Sequence, residues 1–346
     1  MPSAASYPSS PETEDRSESS DLITISIPTF RRPSLLLHAL QSCFVQDYRP
    51  LEVDISDDSP GPETERLIQS LSFPPDISLR YFRNRPSLGQ VGNVNGLFSR
   101  ARGTRLVLLH DDDALLPGAV TALNQVFSLS DAVIAAYGIQ EVITDRGEVS
   151  TSETRANNEH ANRLPAFTGL QTEPVVCALW RQFPNNGYLI DSAIAKTVGY
   201  RDVSMVGNAN DSDFALRLAL EHRDRAFYFL NRRTSQYRLS NESIRSQHDT
   251  CRKMYRVLEQ LPLTSDAERH ARDWLLEKIA EEAVVDHALH GEWKSALRIM
   301  RSKHYPPTVM SMKSLFHLAI VALPGVYNAR AIRQIFQRHG GIWSGA

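Results

Sequence analysis

Cysteine is scarce in this chain, net charge is almost absent, and no apolar run is long. The 346 residues include three cysteines, Cys43, Cys177 and Cys251. They are odd in number and far apart, which argues against a disulfide framework or a zinc site and fits a reducing cytoplasm. Each reads as a small buried apolar residue rather than a reactive thiol. Lys and Arg total 38 against 40 Asp and Glu, a formal charge of -2, so there is no electrostatic case for nucleic acid. The longest apolar run, Leu315 to Pro324, is broken by His317 and is too short to span a bilayer; it reads as a packed or interfacial helix. The N-terminus lacks the basic start and apolar core of a signal peptide. Also missing are a Gly-x-Gly-x-x-Gly after the first strand and a Walker loop, which counts against ordinary dinucleotide-binding and P-loop readings.

What the chain has instead is one organising stretch, Arg105 to Pro117: Arg-Leu-Val-Leu-Leu-His-Asp-Asp-Asp-Ala-Leu-Leu-Pro. Leu106 to Leu109 form a continuous apolar run, as expected of a strand buried on both faces of a parallel sheet. The run leads through His110 into Asp111, Asp112 and Asp113. Ligands of open α/β sheets bind outside the carboxyl ends of the strands. Adjacent carboxylates repel one another there unless a cation or solvent relieves them. Such oxygen ligands suit Mg²⁺ or Mn²⁺, with further ligands drawn from water and substrate phosphates. A solvated acidic turn capping a helix that begins near Pro117 would account for the triplet equally well.

The rest of the chain reads in order around that stretch. Residues 1–21 are rich in Ser, Pro, Glu and Asp and are expected to be disordered. Strands are expected at Leu22 to Pro28, Leu51 to Ser56, Ile77 to Phe82 and Leu106 to His110. Helical patterns lie between them, through Leu36, Leu40 and Cys43, over Glu63 to Leu71, and from Gly92 to about Ala101. This alternation is the signature of βαβ units on a parallel sheet. Asp57 and Asp58 form a second acidic pair at a strand end. Val120 to Leu129 reads as helix and Ala132 to Val142 as strand. Thr151 to Thr172 is polar without a clear period and reads as a mobile loop. Phe183 to Gly187 is a turn, Asn208 to Leu220 a helix, and Ala226 to Leu230 and Thr234 to Arg238 two strands. From about Ser246 the pattern is helical: a helix through Trp274, Leu275, Ile279, Ala283 and Leu289, then Trp293 to Arg301, Val309 to Leu323 and Ala329 to Arg338.

The order of these stretches resembles the family 2 glycosyltransferases of the GT-A fold, from about Ile23 to Ser243. Ile27-Pro28-Thr29-Phe30-Arg31-Arg32 is similar to the family's opening strand and nucleotide loop. Asp57-Asp58-Ser59 is similar to its base-binding acidic pair, Gly89 through Asn95 to its Gly-to-Arg-Asn helix start, and His110 through Pro117 to its DXD segment. Asp211-Ser-Asp-Phe-Ala-Leu-Arg217 is similar to its catalytic acidic helix, and Tyr237-Arg238 to its closing motif. The resemblance implies an α/β class protein: a three-layer α/β/α sandwich on a mostly parallel sheet over residues 22–245, with a helical C-terminal region over 246–346. Departures are His110 at the first position of Asp-x-Asp, Val94 in place of the usual Arg, and Ser240 in place of a closing His, with His248 a remote substitute.

The resemblance implies inverting transfer of a sugar from a nucleotide-sugar donor to an acceptor hydroxyl, assisted by Mg²⁺ or Mn²⁺, in bacterial surface polysaccharide or glycolipid synthesis. It assigns Asp211 as general base and Pro28, Thr29, Arg31, Asp58, Asn95, Asp111 and Asp112 to the nucleotide sugar. Asp112 is the main metal ligand, with Asp113 and His110 as secondary candidates. Arg31 or Arg85 would replace the diphosphate contact missing at Val94. The Asp211–Asp213 pair would raise one carboxylate's pKa by like-charge repulsion. The expected acceptor is a saccharide or lipid-linked sugar, and the expected location is the cytoplasm, with a peripheral contact at the inner face of the cell membrane through the C-terminal helices. Packing of that tail on the catalytic domain, or a dimer contact, is the more ordinary reading of the same residues. Nothing in the sequence fixes the oligomeric state.

Each residue also has a plainer reading. Asp211 would serve as a helix N-terminal carboxylate, Asp58 as an N-cap or turn residue, and His110 as a neutral strand-end histidine. Trp180 would be core rather than an acceptor platform. Asn185 and Asn186 would be turn residues rather than sugar contacts, and Arg232 and Arg233 a solvated pair. Two other functions compete: a sugar-phosphate nucleotidyltransferase, disfavoured because Pro28 to Arg32 contains no glycine, and a non-catalytic carbohydrate-binding or assembly protein, motivated by Val94 and Ser240.

Overall fold

The computed structural model describes residues 22–239 and 250–306. The expected N-terminal tail, Ser240, His248 and the expected helices over 309–323 and 329–338 lie outside the described residues. The first half alternates β1 (Ile23–Thr29), α1 (Pro33–Phe44), β2 (Leu51–Asp57), α2 (Glu63–Ser70), β3 (Ile77–Arg83), α3 (Gly89–Arg100) and β4 (Arg105–Leu108). Next come β5 (Ala114–Leu115), α4 (Ala119–Gln125), β6 (Val133–Ile143), α5 (Thr151–His160), β7 (Gly169–Gln171) and α6 (Pro174–Leu179). The sheet is completed by β8 (Leu189–Asp191) and β9 (Ala226–Arg238), with α7 (Ser192–Val198), α8 (Val203–Val206) and α9 (Asn210–Glu221) between them. Helices α10 (Thr250–Glu259), α11 (Asp266–Leu289) and α12 (Trp293–Met300) follow.

The nine strands form one sheet in the order β3-β2-β1-β4-β8-β6-β9-β5, with β7 also paired to β9. Pairing is parallel from β3 to β4 and between β6 and β9. It is antiparallel where β8 joins β4 to β6 and where β5 and β7 meet β9. The alternation of side chains along β4 shows why its sequence is apolar throughout. Leu106 and Leu108 enter one core cluster, and Val107 and Leu109 enter the other on the opposite face. The second cluster is closed by Leu36, Leu40 and Cys43 of α1 and Val120 and Leu123 of α4. The first is closed by α3, α6 and α9 and includes Leu275, Ile279 and Ala283 of α11. The expected three layers are therefore present, and α10 to α12 share the core of one layer rather than standing apart. A capping box between Ser265 and Glu268 starts α11. No helix among the described residues is long and apolar enough to cross a membrane.

Two expectations are corrected. The stretch Thr151 to Thr172 is not a loop: it holds α5, a 3₁₀ turn over Pro165–Phe167, and β7. The two expected strands near the end are one, β9, which is continuous from Ala226 to Arg238. Its pairing with β6 shifts register around Gly138, where a Cβ would stand 2.5 Å from the Arg232 carbonyl oxygen. Only glycine fits that approach.

Candidate active site

The carboxyl ends of β1, β2 and β4 meet at one rim of the sheet, and the acidic residues cluster there. Past the end of β4 the chain turns, with Asp113 N donating to the His110 carbonyl at 3.2 Å. The Asp111 carboxylate is buried and accepts from Thr29 Oγ1 at 2.8 Å and from Phe30 N at 3.4 Å, which ties the loop after β1 to the loop after β4. Burial, then the neighbouring Asp112 charge, pushes its pKa up to about 6, against the pull of Arg32 and Thr29. Arg32 Nη1 bridges Asp111 Oδ1 at 3.3 Å and Asp112 Oδ2 at 2.8 Å.

Asp113 is buried beside Asp112. Asn186 Nδ2 donates to its Oδ2 at 2.7 Å, and the backbone amide of Arg238 donates to its Oδ1 at 2.7 Å. Burial and the Asp112 charge raise its pKa. The Arg238 side chain braces the same turn, its Nε donating to the Asp112 carbonyl at 2.9 Å. The closing Tyr-Arg motif thus holds the acidic turn from the end of β9. Gly187, at φ +74°, lets the chain pass under Ser235 and donate from its amide to the Leu108 carbonyl at 2.7 Å.

The imidazole of His110 is partly exposed at this rim. Its Nδ1 lies 3.4 Å from Asn186 Nδ2 and 3.9 Å from Asp113 Oδ2. Burial alone would lower its pKa. Asp211, Asp113, Asp112 and Asp111 outweigh that effect and raise it. Asp211, first-turn carboxylate of α9, thus acts on the same imidazole as the acidic turn although it is about a hundred residues away in sequence. The pKa of Asp211 is raised by burial and held back by the His110 charge and by the Tyr200 hydroxyl, which donates to Asp211 Oδ1. The expected like-charge pressure from Asp213 is replaced. Asp213 is fully buried and ion-paired to Arg201, while Arg217 Nε donates to its Oδ2 at 2.9 Å. Burial, not repulsion, sets the Asp211 shift.

Asp58 lies at the neighbouring strand end. Its carboxylate accepts from Asn84 Nδ2 at 2.8 Å, Ser87 Oγ at 2.8 Å and Leu88 N at 3.0 Å, fastening the loop before α3 to the end of β2. Asn95, expected at the nucleotide, spends its amide on the backbone of Tyr200 instead: Tyr200 N donates to its Oδ1 at 2.7 Å, and its Nδ2 donates to the Tyr200 carbonyl at 2.9 Å. Pro28 is half-buried in β1, and Arg31 is exposed with its guanidinium 5.0 Å from the Phe30 ring centroid. Trp180 packs against Phe167 and the core, as the plainer reading held. Asn185 accepts from Gln140 at 3.3 Å, and Arg233 is paired to Glu141 at 2.8 Å. Cys43 and Cys177 are buried thiols, each pushed up to about 12 by desolvation.

Sequence reasoning passed over Arg32 and Tyr200. Arg32 stood beside Arg31 in the same motif. Tyr200 follows Gly199, a turn signal, and no periodic pattern marks its hydroxyl.

His110, Asp112 and Asp113 each offer one ligand atom, all within 4.8 Å of one another. A mixed imidazole and carboxylate set of this kind fits a divalent cation such as Mn²⁺.

This is a GT-A-type sheet carrying an acidic site at its strand ends. Residues 24–186 match the model of glycosyl transferase family 2. A curated relative, the GalNAc(5)-diNAcBac-PP-undecaprenol beta-1,3-glucosyltransferase of Campylobacter jejuni, is 36% identical over 104 residues, which is 30% of this chain and 33% of the relative. The chain matches only about a third of the length of its curated relatives. Among solved structures, S. aureus TarS 1-349 in complex with UDP-GlcNAc aligns with a TM-score of 0.58 at 14% identity, over 92% of each chain. The mannosyltransferase PcManGT from Pyrobaculum calidifontis, in complex with GDP-Man and Mn²⁺, aligns with a TM-score of 0.50 at 14% identity, over 89% of this chain and 87% of the other. At these identities the structural likeness shows the fold.

Proposed function

We propose that the protein is a metal-dependent, inverting glycosyltransferase that moves a sugar from a nucleotide-sugar donor to an acceptor hydroxyl. The observation that supports this is that Asp211 and the acidic turn act on one imidazole, that of His110, while Thr29 at the end of β1 is bonded to Asp111. Asp112, with His110 and Asp113 beside it, would hold Mg²⁺ or Mn²⁺. Such an ion supplies charge neutralisation for the departing diphosphate. Asp111 ties down the end of β1 and the loop after it, where Pro28, Thr29 and Arg31 would line the nucleotide. Asp58 shapes the loop on the base side.

Asp211 acts as the general base. Its Oδ2 takes the proton of the acceptor hydroxyl as that oxygen bonds to the anomeric carbon. The bond from that carbon to the diphosphate breaks in the same step, and the nucleoside diphosphate leaves with the electron pair. A single displacement inverts the anomeric centre. Burial keeps the Asp211 carboxylate basic, while Tyr200 fixes its other oxygen.

The name of the Campylobacter jejuni relative carries an undecaprenol-linked acceptor. A lipid-linked saccharide at the inner face of the cell membrane is therefore the acceptor class to test first, with residues 246–346 as the region that approaches the membrane. The test of function is release of nucleoside diphosphate from a panel of nucleotide sugars with Mg²⁺ or Mn²⁺. Metal-dependent release from at least one donor is expected. Pyrophosphate release from a nucleoside triphosphate and a sugar phosphate would instead identify a nucleotidyltransferase.

A further inference from the structure

Two consecutive arginines after β1 part company. Arg31 sits at φ +58°, a left-handed conformation that a non-glycine residue adopts only when its surroundings hold it. Its amide is held by Ser59 Oγ at 2.7 Å, and its side chain turns onto the Phe30 ring. The twist carries Arg32, the residue before Pro33 and the first turn of α1, inward to the acidic turn. There one nitrogen, Nη1, meets both Asp111 Oδ1 and Asp112 Oδ2. Val94, which fills the position of the missing diphosphate arginine, is 1% exposed and packed in the core, so α3 presents no cation from that position.

Arg32 pairs with the same Asp112 carboxylate that would ligate a divalent cation. A guanidinium and a divalent cation on one carboxylate repel each other, so the two compete. A cation arriving with a nucleoside diphosphate brings phosphate oxygens to the same place, and a guanidinium fork suits them. Resting on the function proposed above, we propose that Arg32 is an exchangeable counter-ion. It neutralises Asp112 in the free protein and passes to the diphosphate when metal and nucleotide bind together, replacing the arginine that Val94 omits. Arg32 is thus a binding residue for the donor with two opposed effects.

The opposition is what tests it. Calorimetry would follow Mn²⁺ alone, then UDP and GDP each with saturating Mn²⁺, on the wild type, Arg32→Gln and Arg32→Lys, with thermal unfolding recorded for all three. Arg32→Gln is expected to bind Mn²⁺ alone about three- to tenfold more tightly, because the competing charge is gone, and the nucleoside diphosphate about ten- to a hundredfold more weakly, because a charge-assisted hydrogen bond is lost. Arg32→Lys, which keeps the charge without the fork, is expected to fall between, and it carries the test if the glutamine variant unfolds. Weakening of both affinities, or a change in neither, makes Arg32 a structural clamp and overturns the inference while the proposed function stands. If the wild type binds no nucleoside diphosphate with Mn²⁺, the functional reading fails and the inference falls with it.

Discussion

Asn95 grips the backbone of Tyr200 through both ends of its amide, at 2.7 and 2.9 Å, and Tyr200 in turn hands its hydroxyl hydrogen to Asp211. A helix from the first half of the sheet thereby positions a carboxylate on a helix far along the chain. The Tyr200 ring is wedged edge-on against Phe98 at 5.9 Å and tilted against Phe214 at 5.4 Å, so its hydroxyl has little freedom to leave.

Replacing Tyr200 with Phe removes that donor and keeps the ring. Burial already raises the Asp211 pKa, and the hydroxyl opposes the rise. Its loss moves the pKa further up, and the base works only when deprotonated. The acidic limb of the pH–rate profile should therefore move to higher pH by about one unit, with little loss well above it. A uniform loss at all pH values, with an unmoved limb, would show that Tyr200 only packs.

Asp213 should behave as a structural residue. It is the buried anion shared by Arg201 and Arg217, and its removal takes the ion pair from both, leaving Arg217 on the Val198 and Gly199 carbonyls. Asp213→Ala is expected to cost about 3–5 kcal/mol in denaturant unfolding. Asp211→Asn should unfold close to the wild type. Equal stability of the two variants would contradict this division of roles.

Asn186 has no exposed surface and holds Asp113 at 2.7 Å. Asn186→Ala should weaken Mn²⁺ affinity about ten- to a hundredfold, as loss of a group that orients a ligand does. A Mn²⁺ titration followed by electron paramagnetic resonance would check it, and unchanged affinity would remove Asp113 from the metal set.

Helix α5 is held by polar groups. Asn158 Nδ2 donates to the Gln140 and Thr154 carbonyls at 2.7 Å each, and Val142 N donates to Thr154 Oγ1 at 2.8 Å. Asn158→Ala should destabilise the protein by about 1–3 kcal/mol through the buried carbonyl it leaves without a partner. Chemical denaturation would measure it; a cost near zero would mean that α5 is held by other contacts.

That helix explains what the sequence could not display. Its buried residues are Thr154, Asn157 and Asn158, so it has no apolar stripe, the feature that marks a helix in a sequence. The Ser150 cap, accepting from Glu153 N, was the one readable trace. Strand β9 looked like two strands because Asn231, Arg232 and Arg233 are exposed at its middle, where pairing with β6 slips. The alternating first half was legible because β4 is apolar on both faces, β1 and β2 alternate apolar with polar residues, and the helices carry an apolar face. In the site, the carboxylates were legible because charge at a strand end is conspicuous in sequence. Arg32, Tyr200 and the Asn95 brace were not, because each acts through a backbone turn or a contact between distant segments.

The account is tested most directly by turnover and nucleotide affinity measured together on Asp211→Asn. With Mn²⁺ and the preferred nucleotide sugar, the variant should bind nucleoside diphosphate as the wild type does while transfer falls by about 10²- to 10⁴-fold, the usual contribution of a general base. Transfer at the wild-type rate would contradict the account, since no other part of the site is assigned the acceptor's proton.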